Sequence, residues 1–293
     1  MIKLRNPRVT GFERDSNDVY WEIEPTTLDV QEYEFYVERS EAEAGPFIEI
    51  AGPLIDRYYL RDVDFPPITL NRTLFYRIKV RHPLSGRVEY SKVFDRQGEP
   101  DLIADEIVRL ETLLFQEFAG TVCWLFPRRT FGQRCPQCYD PDIGVTDSNC
   151  VTCFRTGFSG GYHYPIQFFA QIDEAPVTEV AMSHDHHQQR AYTLRCPASP
   201  EFKPLDLIID SKNRRMRVVS VHGTSRLGVR VRQEIQAVLL QPGSIEDAVP
   251  LRIDAQHLER AASRNFTNPQ NPEAIGHIGD DPLAALLGRH GFK

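Results

Sequence analysis

The sequence predicts a mainly β protein of several domains: a β-sandwich in front, a connecting helix, a small β-barrel interrupted by a cysteine-rich loop, and an extended C-terminal arm. Short segments of alternating hydrophobicity, bounded by Pro, Gly, Asn and Asp, fill residues 1–97 and return from 121 onward. Between them one stretch repeats apolar residues at spacings of three and four, the period of a helix. Four cysteines stand as two C-x-x-C pairs, Cys135/Cys138 and Cys150/Cys153. With 293 residues, 41% of them hydrophobic and 26% charged, the chain has the balance of an ordinary globular protein and the length for two or three cores.

In the front segment, residues 1–97, Val19, Trp21 and Ile23 share one strand face while Asp18, Tyr20 and Glu22 take the other. Tyr33, Phe35 and Val37 repeat the pattern, as do Tyr76, Ile78 and Val80 with Arg77, Lys79 and Arg81 turned to water. A Trp on the second strand, about seven short strands, and Leu70 six positions before Tyr76 in tyrosine-corner spacing make this segment resemble a fibronectin type III domain.

Residues 98–120 are expected to form the connecting helix. Ile103, Ile107, Leu110, Leu113, Leu114 and Phe118 give it one apolar face, Asp101 can cap its start, and Gly120 can end it. Such a face must dock on the next domain or on a neighbouring subunit. Residues 121–245 contain six strand-like segments, enough to close a small barrel. The loop 131–164 interrupts them between the first two. Residues 246–293 lack a core-forming pattern and read as an arm whose apolar anchors, such as Val249, Leu251 and Phe266, order by lying across a neighbour. In its last turns Asp281-Pro282 starts and Gly288 ends a short helix carrying Leu283, Leu286 and Leu287, suited to a groove on the next subunit.

The opening MIKLRNPRVT has no apolar signal core and no apolar run approaches the ~20 residues of a membrane span. Folding in a reducing cytoplasm and no membrane partner are therefore expected. There six cysteines serve as metal ligands or buried thiols rather than disulfides. Two residues between paired cysteines let one tight turn aim both sulfurs at one ion, and two such turns complete a tetrahedron. Cys135, Cys138, Cys150 and Cys153 are thus expected to hold zinc, and four thiolates close its shell, so the ion is structural. Cys123 and Cys196 lie in strand patterns and read as buried thiols. His184, His186 and His187 read as a solvated turn in preference to a second metal tract.

A formal charge of −7 argues against a general nucleic-acid coat. A local basic run (Lys203, Lys212, Arg214, Arg215, Arg217, Arg226, Arg230 and Arg232) alternates with apolar residues and is the wet face of strands or a surface near DNA. No phosphate loop, GxSxG elbow or HExxH helix occurs, so neither catalysis nor a small-molecule substrate is expected.

The segment CPQCYDPDIGVTDSNCVTCFRTGFSGGYHYPI, with Thr156-Gly157-Phe158 and Gly160-Gly161-Tyr162 after its second pair, resembles a zinc motif of tailed-bacteriophage virion proteins. It departs from that motif at Phe154-Arg155, where a Tyr-Gly pair is commoner. The stretch from Leu205 to Leu240 is similar to the barrels of phage head-completion and neck proteins. The resemblance implies a non-catalytic neck or collar subunit in the virion, assembled in the host bacterial cytoplasm. It would form a ring by self-association and bind other neck, portal or tail proteins, with packaged DNA near its basic strands. A baseplate or fibre-attachment protein and a nucleic-acid-binding zinc-ribbon protein are the alternatives.

Overall fold

Alternation of buried and exposed side chains builds two facing sheets from the front of the chain. In the computed structural model, which describes residues 2–13, 16–63, 73–95, 101–145, 149–174 and 190–250, these are β1 (Leu4–Glu13), β2 (Ser16–Ile23), β3 (Glu34–Ser40), β4 (Ile48–Leu54), β5 (Tyr59–Asp62), β6 (Phe75–His82), β7 (Arg87–Tyr90) and β8 (Phe94–Asp95). One sheet has the order β1-β2-β5; the other runs β4-β3-β6-β7, with β8 also on β6. Val19, Trp21 and Ile23 of the first meet Phe35, Val37, Tyr76, Ile78 and Val80 of the second in one core, as the alternation requires. Leu70 lies outside the described residues. The Tyr76 hydroxyl donates to Asp62 (2.8 Å) and accepts from Asn17 (2.9 Å), and Arg39 donates to the same carboxylate, so a buried polar link ties the two sheets.

The helix α1 (Leu102–Leu114) continues as a π-helical turn, Phe115–Ala119. Asp101 caps it, accepting from the Ile103 and Ala104 amides at 3.0 and 3.1 Å, which occupies two otherwise unpaired donors. Gly120 ends it: a Cβ there would lie 2.4 Å from the Phe115 carbonyl oxygen, so no larger residue fits. The face that docks is not the expected one. Ala104, Asp105, Val108, Thr112 and Phe115 are buried, whereas of the expected stripe only Ile107 packs inward; Ile103, Leu110, Leu113, Leu114 and Phe118 are exposed. Small residues set this choice. Ala104 and Val108 let the helix approach Ala198 and Val231 closely, and bulkier leucines in their place would hold it off.

The six strand-like segments after residue 120 close a barrel. Its strands are β9 (Thr121–Phe126) and, beyond a short hairpin β10 (Tyr139–Asp140) and β11 (Gly144–Val145), β12 (Ile166–Glu174), β13 (Ala191–Pro197), β14 (Leu207–Asp210), β15 (Arg215–Arg226) and β16 (Val229–Leu239). They are hydrogen-bonded in the order β12-β13-β16-β15-β14-β9, and β9 returns to β12 with Leu125 opposite Ile166 and Thr121 opposite Ala170. One parity fills the interior with Cys123, Leu125, Phe168, Leu194, Cys196, Ile208, Met216, Val218 and Ile235. The other parity of β9 and β14 presents Phe126, Leu207 and Ile209 outward, where they form a second cluster with Phe154, Tyr162 and Val249. Val249, expected in the arm, is therefore part of this body, and the compact unit runs from Met1 to Val249. The arm from 251 on lies outside the described residues. No helix among the described residues is long and apolar enough to cross a membrane.

Candidate metal centre

The loop between β9 and β12 spans two strands that pair directly, so it is an elaborated hairpin connection. Within it each C-x-x-C pair forms a tight turn closed by a backbone bond, Tyr139 amide to Cys135 carbonyl (3.2 Å) in the first and Phe154 amide to Cys150 carbonyl (3.0 Å) in the second. The turns face each other. Cys135, Cys138, Cys150 and Cys153 are all buried and their four sulfurs lie within 4.8 Å of one another, with Cys135–Cys150 at 3.8 Å and Cys138–Cys153 at 3.3 Å. No disulfide links them. Four thiolates about 2.3 Å from a common centre in a tetrahedron stand about 3.8 Å apart, so the cluster fits a metal ion of that coordination.

The cluster's electrostatics point the same way. Burial and the neighbouring thiols push the Cys138 thiol well up. Burial also opposes ionisation at Cys150, yet the amides of Cys153 and Thr152 and the thiols of Cys138 and Cys153 outweigh it and bring that thiol down to about 7. Four crowded thiols cannot all ionise by themselves. A divalent cation at their centre reverses the balance, since it stabilises every thiolate at once.

The surroundings hold the loop to two bodies. On the barrel side, Phe154 and Tyr162 pack over Phe126, Leu207 and Ile209. Gly161 makes that possible: its φ is 69°, and a Cβ would lie 2.7 Å from the Phe154 ring and 2.8 Å from the Cys153 carbonyl oxygen. On the sandwich side, Thr26 pairs with Gln133, its amide donating to the Gly132 carbonyl and its carbonyl accepting from the Arg134 amide. The buried Arg129 donates from Nε to the Tyr162 carbonyl (3.0 Å) and through both terminal nitrogens to the Asp56 carboxylate. His163 forms a three-ring cluster with Phe131 (4.4 Å, tilted) and Tyr58 (5.4 Å, edge-on), and neither ring nitrogen has a hydrogen-bond partner. Burial, then the cations of Arg129 and Lys203, hold its pKa well below the usual value, so the ring is neutral.

Sequence reasoning reached the four cysteines and missed Arg129, Asp56 and His163. Asp56 and Arg129 are 73 positions apart, and nothing local marks them as a pair. Cys123 and Cys196 are fully buried in the barrel interior as free thiols, and burial pushes the Cys123 thiol up to about 12. His184, His186 and His187 lie outside the described residues. In the basic run, Arg214 pairs with Asp210 (2.6 Å), Arg215 with Asp247 (3.6 Å), Arg217 with Glu246 (3.7 Å), Arg226 with Asp101 (3.1 Å) and Arg232 with Glu111 (2.6 Å), and Arg230 donates to Gln233. Compared with protein-family models and with curated proteins, the chain matches none.

Proposed function

We propose that this chain is a non-catalytic structural subunit of a tailed-bacteriophage virion, part of the neck or collar between portal vertex and tail, with a structural zinc in its four thiolates. The observation that carries it is the four-cysteine cluster in its setting: it fastens an elaborated hairpin to the outside of a closed barrel, and its closed shell leaves no open position for substrate. Zinc suits four sulfurs in a tetrahedron better than the hard cations that prefer oxygen. The front sandwich supports the same reading. Three strands facing five, with Trp21 in the core, are compatible with reading the front as a fibronectin type III-like module, a type of domain suited to displaying a surface.

Five of the six arginines of the basic run, all but Arg230, are engaged with carboxylates of this chain, which favours assembly contacts over a nucleic-acid-binding zinc ribbon. Self-association into a ring and contacts with portal or tail proteins follow from this reading. Mass spectrometry and side-chain-resolution imaging of purified virions test it: copies of the chain at the head-to-tail junction support the neck, copies at the tail tip move it to the baseplate, and absence from virions rejects it. Elemental analysis should give about one zinc per chain.

A further inference from the structure

The helix α1 is apolar on two sides, and the body of the protein uses only one of them. Ala104, Val108 and Phe115 are buried. On the other side Leu102 is 61% exposed, Ile103 58%, Leu110 53%, Leu113 40%, Leu114 42% and Phe118 85%. Large aliphatic and aromatic side chains offer roughly 150–200 Å² each when free, so these exposures amount to apolar surface on the order of 600 Å². That is the upper end of what a monomer ordinarily shows, and roughly three quarters of one side of a standard specific interface.

We propose that this face is a self-association surface, on which α1 of a second copy packs antiparallel across a two-fold axis at Leu110. The spacing of the stripe favours this occupant. Ile103, Ile107, Leu110, Leu114 and Phe118 follow at steps of four, three, four and four; read backwards from Phe118, the steps are four, four, three and four. Across a two-fold axis at Leu110 an antiparallel copy sets Phe118 against Leu102 and Leu113 against Ile107, the reciprocal apolar pairing a two-fold interface demands. Each Phe118 covers the other copy's Leu102 and Ile103, Leu114 meets the outer edge of Ile107, and Leu110 meets Leu110. Glu106, paired with Arg109 at 2.7 Å, and the exposed Glu117 are the acidic positions of this face.

The face is also held rigid before any partner arrives. Glu111 accepts two bonds from Arg232 (2.9 and 2.6 Å) and Asp101 one from Arg226 (3.1 Å), fixing the helix on the β15–β16 hairpin at both ends of its first three turns. A preformed apolar face loses little conformational entropy on pairing. The proposal stands on the described body alone and requires neither the ring nor the zinc.

The test is light scattering and sedimentation of the full metal-loaded chain over a range of concentrations. The expected result is a dimer or an even-numbered assembly, weakened on the order of 100-fold or more by Leu110→Asp, because the change puts two carboxylates face to face at the centre of the interface. Phe118→Ser should act in the same direction, and Ile48→Asp, at an exposed apolar site on β4, should leave assembly unchanged. Circular dichroism should be native in all three, since each site is exposed. Leu110→Cys should form a covalent dimer on mild oxidation, as only a two-fold axis brings a residue against its own copy. A wild-type chain that stays monomeric at all concentrations overturns the proposal, as does an assembly indifferent to both Leu110→Asp and Phe118→Ser. Failure of Leu110→Cys to cross-link overturns the two-fold geometry.

Discussion

Replacing Cys150 with Ser should free the cysteine-rich loop while leaving the barrel closed. The substitution removes one of four thiolates, and with it the tetrahedral shell whose formation in small zinc domains supplies about 10–16 kcal/mol of folding free energy. What the loop then loses can be read from its contacts. Phe154 and Tyr162 are 8% and 7% exposed where they lie on the barrel, and each covers about 150–250 Å², or about 4–6 kcal/mol as an upper bound at 25 cal/mol per Å². Without the metal these two rings, with the Arg129–Asp56 pair and the Thr26 bridge to the sandwich, must order more than thirty residues at a backbone cost of roughly 1–2 kcal/mol per residue, and cannot. The interior cluster draws only Ile166 from the edge of this loop, so it survives. Hydrogen exchange separates the two regions. Amides that bond within the loop, such as Arg129 to the Gly161 carbonyl, Cys135 to Gly157 and Ser159 to Gln133, should exchange faster by roughly three decades or more, while barrel amides on β13 and β16 stay within one decade. Native protection in the loop of Cys150→Ser, or of chelated wild type, would refute the reasoning; so would equal loss of protection throughout the barrel.

Three further outcomes follow. With a thiol reagent, the native metal-loaded protein should show no fast-reacting cysteine, the chelated protein four, and the denatured chain all six, because burial pushes the Cys123 and Cys196 thiols up within the barrel. His163 is held neutral in the folded state, so the unfolded chain binds more protons below pH ~6.5; stability should fall with acidification from there, by up to about 1.4 kcal/mol per pH unit. Chemical denaturation of His163→Phe, which keeps a ring against Phe131 and Tyr58, should lack that slope; an identical pH dependence in both proteins would count against it. Gln233 is fully buried and its amide nitrogen donates to the carbonyls of Pro197, Ala198 and Pro200 at 3.0, 2.8 and 2.8 Å; Gln233→Leu should cost about 2–4 kcal/mol in urea unfolding, since it strands acceptors that water cannot reach.

Much of the architecture was legible because it rests on local rules. The parity of Val19, Trp21 and Ile23 assigned a buried face correctly, six strand-like segments counted the barrel, and Asp101 and Gly120 marked the helix ends. The spacing of two cysteine pairs located the four-thiol cluster, since each pair needs only one turn to aim its sulfurs. The helix face was misjudged for a physical reason. Periodicity weighs residues by hydrophobicity, whereas close packing on β16 and β13 selected the small Ala104 and Val108 over the leucines. The loop's backbone was equally hidden: Phe154 and Arg155 adopt left-handed φ values of 47° and 65°, a conformation that glycine enters freely and that neither residue's identity announces. Pairs such as Asp56 and Arg129 could not be read at all, because a contact across 73 residues leaves no local trace.

The loop that carries the cysteines also touches the sandwich through Thr26, Asp56 and Tyr58, well before the helix that joins the two bodies in sequence. Two pieces bridged at several points cannot turn about their covalent link as a hinge would allow. The angle at which the front module is presented is thus set jointly by the cysteine-rich loop and by direct pairs of sandwich and barrel, Arg8 with Glu201 and Ser199 with Asp18, so loosening the loop alone leaves the module's aim in place.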